Sequence, residues 1–539
     1  MTPGTIRNRA TSQRSPIGGL VLLGAAGALL YGLGITLRYP LAVGLQRPRV
    51  GWSALAGYSL IAGVEHASVY ALLVVCYVLA VRLALRLEGR STRVASAVII
   101  AGWLLSSFAL WGAYAGESFD IFDYVFRGRM LAESGASPLA FEPSIFHNRP
   151  FYAYITWRGQ VDTYGPLWEY ASGAVAWAMY YVLGRTDSLI AYIVGYRLMA
   201  ILLAGLCGAA IAAMVRYGAP QLVPAALLAW LWNPLLLIAT AIGAHNDILM
   251  MLAVLAALLL LQRRRWIWGL LALALAAHVK LTALLILPIV GLWLLRRCGW
   301  LRSLRIGVGA LLLAIPLSWL LYAPLGGWAT LPRMLRERAR LLINSPADLI
   351  YRLLQERYGW AEPAAWRVTT VAATILFAAV AAVVLAWFWW NTQAAGRHAD
   401  VPKPGDALLW RGCLIITLIY LLIGSFWFQH WYLLWLLAPA VLLPASRWTL
   451  TLLPAYYLGA LWSNLTNSFL RTLPSRPFTT TQVSAINVLA QVAPLLLVVV
   501  VTRLWQDVPG LLAVVKQPGT PHRTEPTIAP AHYEMDDLP

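Results

Sequence analysis

The chain has 539 residues, of which 60% are hydrophobic and 12% are charged, and its mean hydropathy is +0.68. Soluble domains are roughly 45–50% apolar and about 25% charged. A soluble protein of this length would divide into about three or four domains, and this chain has too little polar sequence to cover their surfaces. Its 26 Trp and 24 Tyr residues suit two membrane–water interfaces. The composition predicts an all-α, polytopic integral membrane protein surrounded by membrane lipids.

Basic residues outnumber acidic ones by 41 to 22, which gives a net charge of +19. They cluster between hydrophobic runs, at 82–93, 263–265 and 296–305, as is typical of cytoplasmic anchors. No basic face alternates with stacking aromatic residues, so we expect no nucleic-acid partner. The four cysteines are far apart and match no metal-ligand or disulfide spacing.

Fourteen apolar runs between residues 17 and 504 are long enough, or nearly so, to span a bilayer. We expect about 12–14 transmembrane helices, with re-entrant segments. The predicted parts are a cytoplasmic N-terminal segment (1–16), a transmembrane module that carries the candidate catalytic residues (17–325) with an external loop (116–165), a basic external loop (326–365), a C-terminal transmembrane module (366–504) and a disordered cytoplasmic tail (505–539).

The charge bias requires an odd number of crossings between the external loop and Arg263–Arg265, yet four apolar runs lie between them. Asn233–Pro234 interrupts the run at 222–242, and proline both removes a helical hydrogen bond and disfavours helix before it. We therefore expect 222–242 to be re-entrant. The long run at 266–295 is expected to be a short helical hairpin that breaks near His278–Lys280.

Seven of the 22 acidic residues fall within 116–170. There, an amphipathic helix is predicted to lie in the membrane interface, with Asp120, Asp123, Tyr124 and Arg127 on one stripe at its surface. Two carboxylates at this spacing suit a general base. They also suit ligands for a divalent cation, Mg²⁺ or Mn²⁺, that screens a phosphate. The alternative is a solvated polar face on which Asp123 pairs with Arg127.

Further along the chain, polar residues interrupt apolar sequence at three places. Tyr164–Gly165–Pro166 is a helix entry whose tyrosine could stack on a sugar or anchor the chain. His245, Asn246 and Asp247 follow the interrupted run, where they could cap a helix or form a functional site. Lys280 could snorkel to an interface or bind an anion.

Two later features are also candidates. The loop at 326–365 carries six arginines, which suit either an anionic phosphate partner or lipid headgroups. His430 lies at the centre of an aromatic belt, where a charged or polar ring is unusual.

Five segments in order resemble the type-C glycosyltransferases, multispanning enzymes that use polyprenyl-phosphate sugars, and are most similar to bacterial α-(1→6) mannosyltransferases. They are SFDIFDYVFRGRMLAESGASPL in the first external loop, TYGPLW (163–168), WNPLLLIATAIGAHNDILM (232–250), HVKLTALLILP (278–288) and FWFQHWYLLWLLAP (426–439). The resemblance covers residues 115–440, about 60% of the chain.

The resemblance implies that Asp120 is the catalytic carboxylate, a general base in an inverting single displacement, with Asp123 as a second acid. It implies a polyprenyl-phosphate hexose donor, by resemblance mannose, and a glycan or glycolipid acceptor at the external face of the plasma membrane. The expected substrate-binding residues are Tyr124, Arg127, Tyr164, His245, Asn246, Asp247, Lys280 and His430.

Three features of the sequence depart from the family pattern. The two acids are more widely spaced than in many relatives, Ala239 and Thr240 stand where an acid is common, and His430 stands where proline is common.

Two other classes are compatible with the composition. A transporter or lipid-linked-sugar flippase would carry polar groups along the bilayer depth and paired repeats, whereas these acids cluster on one predicted face. A structural subunit of an envelope complex would explain the aromatic and basic belts, but not the polar residues beside a broken helix.

Overall fold

The computed structural model describes residues 16–87, 91–339, 341–396, 405–475 and 477–506. Within these ranges the chain is helical and forms no strand, apart from isolated bridges at Pro40–Ala113 and Ile343–Trp427. The predicted cytoplasmic N-terminal segment and the predicted tail lie almost entirely outside the described residues. The all-α prediction is confirmed.

The first half of the chain forms these helices: α1 (Pro16–Tyr31), α2 (Leu41–Gly44), α3 (Trp52–Leu55), α4 (Leu60–Ala84), α5 (Ser91–Leu110), α6 (Asp120–Ser134), α7 (Pro166–Trp177), α8 (Leu189–Gly218), α9 (Val223–Leu231), α10 (Pro234–Leu237) and α11 (Asp247–Gln262). The second half forms α12 (Trp266–Ala277), α13 (Leu287–Cys298), α14 (Trp300–Tyr322), α15 (Leu331–Ala339), α16 (Pro346–Arg352), α17 (Glu362–Gly396), α18 (Gly405–Ile419), α19 (Leu434–Ala440), α20 (Leu453–Arg471) and α21 (Thr480–Gln506).

Nine helical segments in the described part of the chain are long and apolar enough to cross a membrane, so the chain is a multi-pass membrane protein. They are Pro16–Thr36, Leu60–Ala84, Thr92–Leu110, Leu189–Gly218, Leu281–Cys298, Trp300–Leu325, Glu362–Thr392, Asp406–Gly424 and Thr480–Thr502. A tenth candidate is the bent pair formed by Pro220–Leu231 and Pro234–Ile242. The higher expected count of 12–14 included runs that fold into shorter helices, among them α11 and α12.

Helix α11 connects two ends of the helical bundle. Its first residue, Asp247, binds Lys280, and we call this the site end. Its last residue, Gln262, donates from Nε2 to the Met214 carbonyl at 3.3 Å, and the Arg263–Arg265 cluster follows. We call this the far end.

The interrupted run at 222–242 connects the same two ends. Leu222 and Gln262 line one cavity at the far end, whereas the Ile242 carbonyl accepts a hydrogen bond from Arg197 near the site end. The run bends by 50° at its break, where the Asn233 side chain accepts from the Leu235 amide at 3.0 Å. These contacts favour a bent span over the re-entrant loop that the sequence predicts.

Helix α7 instead packs along α6 at the site end. The Tyr196 hydroxyl joins α7 and α6, because it lies 2.9 Å from the Ser172 carbonyl and 3.0 Å from the Tyr124 carbonyl. The apolar run that contains α7 is not among the candidate spans. Helix α11 is not among the candidate spans either, so the odd number of crossings between the external loop and Arg263–Arg265 stays a prediction.

The predicted break near His278–Lys280 is present. Helix α12 ends at Ala277, and Lys280 is extended, with φ −150° and ψ 125°. The freed carbonyls accept hydrogen bonds from the other side of the site, His278 from the Leu167 amide at 3.0 Å and Val279 from the Gly165 amide at 2.9 Å. A Cβ on Gly165 would lie 2.1 Å from the His278 oxygen, so only glycine fits there.

Arg197 connects the chain after α5 to the end of the bent span by hydrogen bonds near the site end. It is fully buried in α8, and its guanidinium donates to the carbonyls of Trp111, Ala113 and Ile242. These carbonyls follow α5 or end the bent span, so helical bonds do not satisfy them. One planar fork therefore ties two chain segments together.

We expect Arg197→Lys to destabilise the protein, because an ammonium cannot reach three separated carbonyls in the plane of a guanidinium. Each lost hydrogen bond to a charged group costs about 1.5–3 kcal/mol. The melting temperature of the detergent-solubilised protein should fall. Arg216→Lys is the matched control, since Arg216 is exposed near the far end of the same helix and should leave the temperature unchanged. Equal melting temperatures for the two variants would contradict the connecting role of Arg197.

Candidate active site

A polar cavity at the site end brings the acid-rich loop, α15 and the aromatic belt together. We call it the central cavity; about 550 Å³ of space lies within and in front of it, part of it open solvent. It is lined by Asp120, Asp123, Tyr124, Arg127, Trp157, Gln160, Val161, Asp162, Thr163, Tyr164, Arg338, Leu341, Trp427, Trp431 and Tyr432. Carboxylates, cations and aromatic rings therefore face one space.

Asp120 begins α6 and faces this cavity with 19% of its side chain exposed. The pKa of Asp120 is raised to about 6, mainly by burial; the positive charge of Lys280 opposes the shift, and the negative charge of Asp247 contributes to it. A carboxyl group whose pKa lies this near neutrality is well matched to accepting and releasing a proton.

The sequence predicts that the amphipathic helix α6 exposes its polar stripe at a surface, and this prediction is wrong. Every residue of α6 from Ile121 to Met130 is buried, because the segment 156–162 covers the polar stripe. Both oxygens of Asp123 accept backbone hydrogen bonds, from Thr156 at 3.1 Å and Trp157 at 3.0 Å. The solvated-face alternative is therefore wrong.

Arg127 closes the same wall from the neighbouring turn of α6. Its Nη2 donates to the carbonyls of Trp157 at 3.0 Å and Gln160 at 2.9 Å, and its Nε lies 3.6 Å from Asp162. Burial raises the pKa of Asp123 to about 7, and the positive charge of Arg127 opposes that shift. These contacts give Asp123 and Arg127 a part in holding the cavity wall.

A buried ion pair forms another side of the site. Lys280 Nζ lies 2.8 and 2.9 Å from the two oxygens of Asp247, and Trp435 Nε1 donates to Asp247 Oδ1 at 2.7 Å. Lys280 is therefore paired in the interior and does not snorkel. Burial lowers the pKa of Lys280, and Asp247 opposes that shift.

Aromatic rings connect this ion pair to the cavity. Lys280 Nζ lies 5.0 Å from the ring centre of Tyr164 and 4.9 Å from that of Tyr432. The Tyr432 hydroxyl accepts a hydrogen bond from Arg338 at 2.6 Å. Among the described arginines of the basic loop, Arg338 reaches the central cavity. Tyr124 packs its ring edge against Tyr164.

His245, Asn246 and His430 lie behind the cavity and do not line it. All three are buried. His245 Nδ1 lies 3.7 Å from Asp120 Oδ2, and its ring stacks on Trp431 with centroids 3.6 Å apart. The turn that presents His245 is strained, because the preceding Ala244 adopts a positive φ of 47°.

The ten predicted site residues thus collect at one end of the bundle, seven around the cavity and its ion pair and three behind it. Four further residues at the site were not among the predicted site residues: Glu117, Arg197, Trp435 and Arg338, although Arg338 is one of the six arginines of the basic loop. A lone arginine in the apolar run of α8 was a usable signal for Arg197. The other three depend on contacts between distant segments.

An apolar groove begins beside the ion pair and continues between the spans. Trp435 belongs to both, since it binds Asp247 and also lines the groove. The remaining lining residues are mostly apolar: Met250, Met251, Val254, Leu258, Thr282, Ala283, Leu285, Ile286, Cys413, Thr417 and Pro439. A charged site therefore adjoins an apolar groove.

The fold and the site together define a polytopic membrane protein with an acid-containing cavity at one end of its spans. Residues 21–296, about half of the chain, match the family model described as alpha-(1->6)-mannopyranosyltransferase, N-terminal domain. The chain belongs to this family of membrane glycosyltransferases, and the resemblance seen in the sequence is confirmed.

A curated relative is similar over a shorter region. The alpha-(1->6)-mannopyranosyltransferase A of Corynebacterium glutamicum is 28% identical over 174 residues, which are 32% of this chain and 34% of the relative. The match thus spans about a third of the relative's length.

We expect Lys280→Met to lower the free energy of unfolding by about 3–5 kcal/mol, because it leaves the Asp247 carboxylate buried without its cation. Adding Asp247→Asn should recover part of this loss, since it removes the uncompensated charge. Unfolding of the purified protein in detergent measures both. Arg149→Met, at a largely exposed side chain, is the control. A double variant no more stable than Lys280→Met would contradict the coupling.

Proposed function

We propose that this chain is a glycosyltransferase that moves a hexose, specifically mannose, from a polyprenyl-phosphate donor to a glycan or glycolipid acceptor. The observation that carries the proposal is the position of Asp120, which faces a cavity that adjoins cationic side chains and, beyond them, an apolar groove. A lipid-linked anionic sugar has the matching sequence of sugar, phosphate and hydrocarbon. Family membership supports the reaction class.

The donor phosphate would bind between Arg338 and Lys280. A guanidinium suits phosphate geometry, and both cations adjoin the Tyr432 ring at the cavity wall. Lys280 is paired with Asp247, so Arg338 carries the less compensated charge. The polyprenyl chain would then follow the apolar groove past Trp435.

The sugar would occupy the central cavity, against Tyr164 and the tryptophans at 157, 427 and 431. Aromatic faces pack against the apolar face of a sugar, and the cavity carboxylates accept hydrogen bonds from its hydroxyls. The acceptor would enter from the open side of the cavity. We assign this side to the external face of the plasma membrane, since the positive-inside rule puts Arg263–Arg265 in the cytoplasm.

The proposed chemistry is a single displacement. The acceptor hydroxyl oxygen attacks the anomeric carbon while Asp120 takes the hydroxyl proton, and the bond from that carbon to the phosphate oxygen breaks. Arg338 and Lys280 stabilise the negative charge on the departing polyprenyl phosphate. Phosphate is a good leaving group, so no general acid is needed. A β-linked donor would give an α-linked product.

A divalent cation, Mg²⁺ or Mn²⁺, remains part of the proposal, with a narrower ligand set than the sequence suggests. Among the described residues, no group of three His, Cys, Asp or Glu side chains is arranged to hold a metal ion. Both Asp123 oxygens already accept backbone hydrogen bonds. Asp120 would therefore supply at most one oxygen, since its other oxygen takes the acceptor proton, and donor phosphate and water would fill the rest of the shell, as Mg²⁺ commonly accepts. The cation would supply charge neutralisation at the phosphate.

The direct test compares wild type with Asp120→Asn at matched expression in membranes. Labelled polyprenyl-phosphate mannose is supplied with endogenous acceptors, and label in glycan is counted. We expect transfer by wild type and a loss of at least about 100-fold in the variant, because the amide cannot accept the proton. Asp187→Asn, in an exposed loop, is the matched control and should retain full transfer.

Equal transfer by wild type and Asp120→Asn would remove Asp120 from the chemistry. No transfer by wild type with mannose, glucose, galactose or arabinose donors would overturn the glycosyltransferase proposal and favour a transporter or flippase.

The pH dependence gives an independent check. Asp120 must be ionised to accept a proton, so kcat/KM should fall as the pH drops through about 6, the pKa to which burial raises this group. An ordinary aspartate would keep its activity to about pH 4. Arg338→Met should move this fall in kcat/KM to higher pH. The positive charge of Arg338 stabilises the ionised Asp120 carboxylate, so its removal raises the pKa of Asp120. A flat profile between pH 5 and 8 would contradict the assignment.

A further inference from the structure

Three buried polar side chains, Glu117, His245 and His430, lie directly behind Asp120 and do not line the central cavity. Neither ring nitrogen of His245 and neither carboxyl oxygen of Glu117 has a hydrogen-bond partner of good geometry among the described residues. Buried polar groups in folded proteins are nearly always satisfied, so a cluster of four such atoms beside a catalytic carboxylate points to a function.

On one side, His245 faces Asp120. The distance of 3.7 Å from Nδ1 to Oδ2 is less than 1 Å longer than a hydrogen bond. Catalytic hydrogen bonds are often long before substrate binds and then shorten. The stacked Trp431 holds the imidazole in place at an interplanar angle of 14°, and Trp431 itself lines the cavity. A sugar that contacts Trp431 would therefore lie one aromatic ring away from His245.

On the other side, His245 faces Glu117 across Gly243. A Cβ on residue 243 would lie 2.5 Å from His245 Nε2 and 3.4 Å from Glu117 Oε1. The two atoms are therefore separated by no more than the sum of these distances, a gap that one water molecule can bridge. The other Glu117 oxygen lies 3.3 Å from His430 Nε2.

We propose that His245 is a positioning residue for Asp120: its Nδ1–H donates to one Asp120 oxygen, while the Glu117–His430 pair fixes this tautomer from the Nε2 side. The tautomer of a histidine is set by the hydrogen bond that its other nitrogen makes. A bridging water that donates to both Nε2 and Glu117 leaves the imidazole proton on Nδ1. His430 Nε2–H then donates to the second Glu117 oxygen.

This inference rests on the proposed function, in which Asp120 accepts the acceptor proton. With one oxygen held by His245, the carboxylate cannot rotate, and its other oxygen stays aimed at the acceptor hydroxyl. Such orientation of a catalytic group by a partner behind it affects the transition state more than donor binding. The expected signature is therefore a change in kcat with little change in the KM of the donor.

Two substitutions of His245 separate the proposal from a structural role. The asparagine amide nitrogen takes the place of imidazole Nδ1, whereas the glutamine amide nitrogen takes the place of Nε2. We expect His245→Asn to keep kcat within about tenfold of wild type and His245→Gln to lose roughly 100-fold, with donor KM unchanged in both. The assay uses the full chain in membranes, polyprenyl-phosphate [¹⁴C]mannose and endogenous acceptors.

Gly243→Ala provides a second route to the same result. Its backbone is helical, with φ −83° and ψ −18°, so alanine adds no backbone strain, but the methyl group intrudes between His245 and Glu117. We expect kcat to fall by about 10–100-fold at unchanged donor KM. His147→Asn and His147→Gln are the controls, because His147 is an exposed histidine outside this cluster, and both should behave as wild type.

Equal losses in His245→Asn and His245→Gln, with normal transfer by wild type, would overturn the positioning role and leave the proposed function standing. A rise in donor KM as the main effect would also overturn it, since it would make His245 a donor-binding residue. If His245→Gln does not fold, as judged by size-exclusion chromatography, a 100-fold loss in a folded His245→Asn would overturn the positioning role equally. Failure of wild type to transfer mannose would instead reject the proposed function itself.

Discussion

The buried ion pair of Lys280 and Asp247 is the interaction on which the site depends. Both residues lie at breaks in apolar sequence, Asp247 after the bent span and Lys280 between α12 and α13. Apolar packing alone does not specify where helices of similar hydrophobicity should end. A single short contact between two charges, supported by Trp435, brings these two breaks together. Because either charge alone would be costly in this interior, the pair makes the arrangement specific rather than merely stable.

The backbone carbonyls left free at the helix breaks bind the acid-rich loop. The carbonyls of His278 and Val279 accept from the chain at 165–167, and Arg197 collects carbonyls from the other breaks. The loop is thus bound by hydrogen bonds that helices cannot use. These hydrogen bonds satisfy the backbone polar groups of the irregular segments at the edge of the spans. They also hold the polar loop in place over the cavity.

The sequence was informative about residue identity and less so about burial. The composition was sufficient to predict the all-α membrane fold, and the polar residues at His278–Lys280 were sufficient to predict one helix break. Both predictions depend on hydrophobicity along a short stretch of chain, which the sequence shows directly. The surface position assigned to α6 was wrong, since its polar stripe is covered by residues 156–162, about thirty positions away. The predicted break at Asn233–Pro234 is present as a 50° bend, whereas the packing of α7 along α6 through Tyr196 was not predicted. Contacts between distant segments decide both cases.

The same reasoning accounts for the two kinds of polar residue at the site. Asp123 and Arg127 use their hydrogen bonds to hold the loop wall, and Asp247 uses its own to bind Lys280 and Trp435. Asp120, in contrast, meets His245 only at 3.7 Å and keeps about a fifth of its side chain exposed. A carboxylate that closes salt bridges is stable but unreactive, whereas one that is partly desolvated and weakly held can exchange a proton at moderate pH. The rigid neighbours therefore maintain the shape of the cavity, and Asp120 is the acid of the cavity wall that this division leaves free to react.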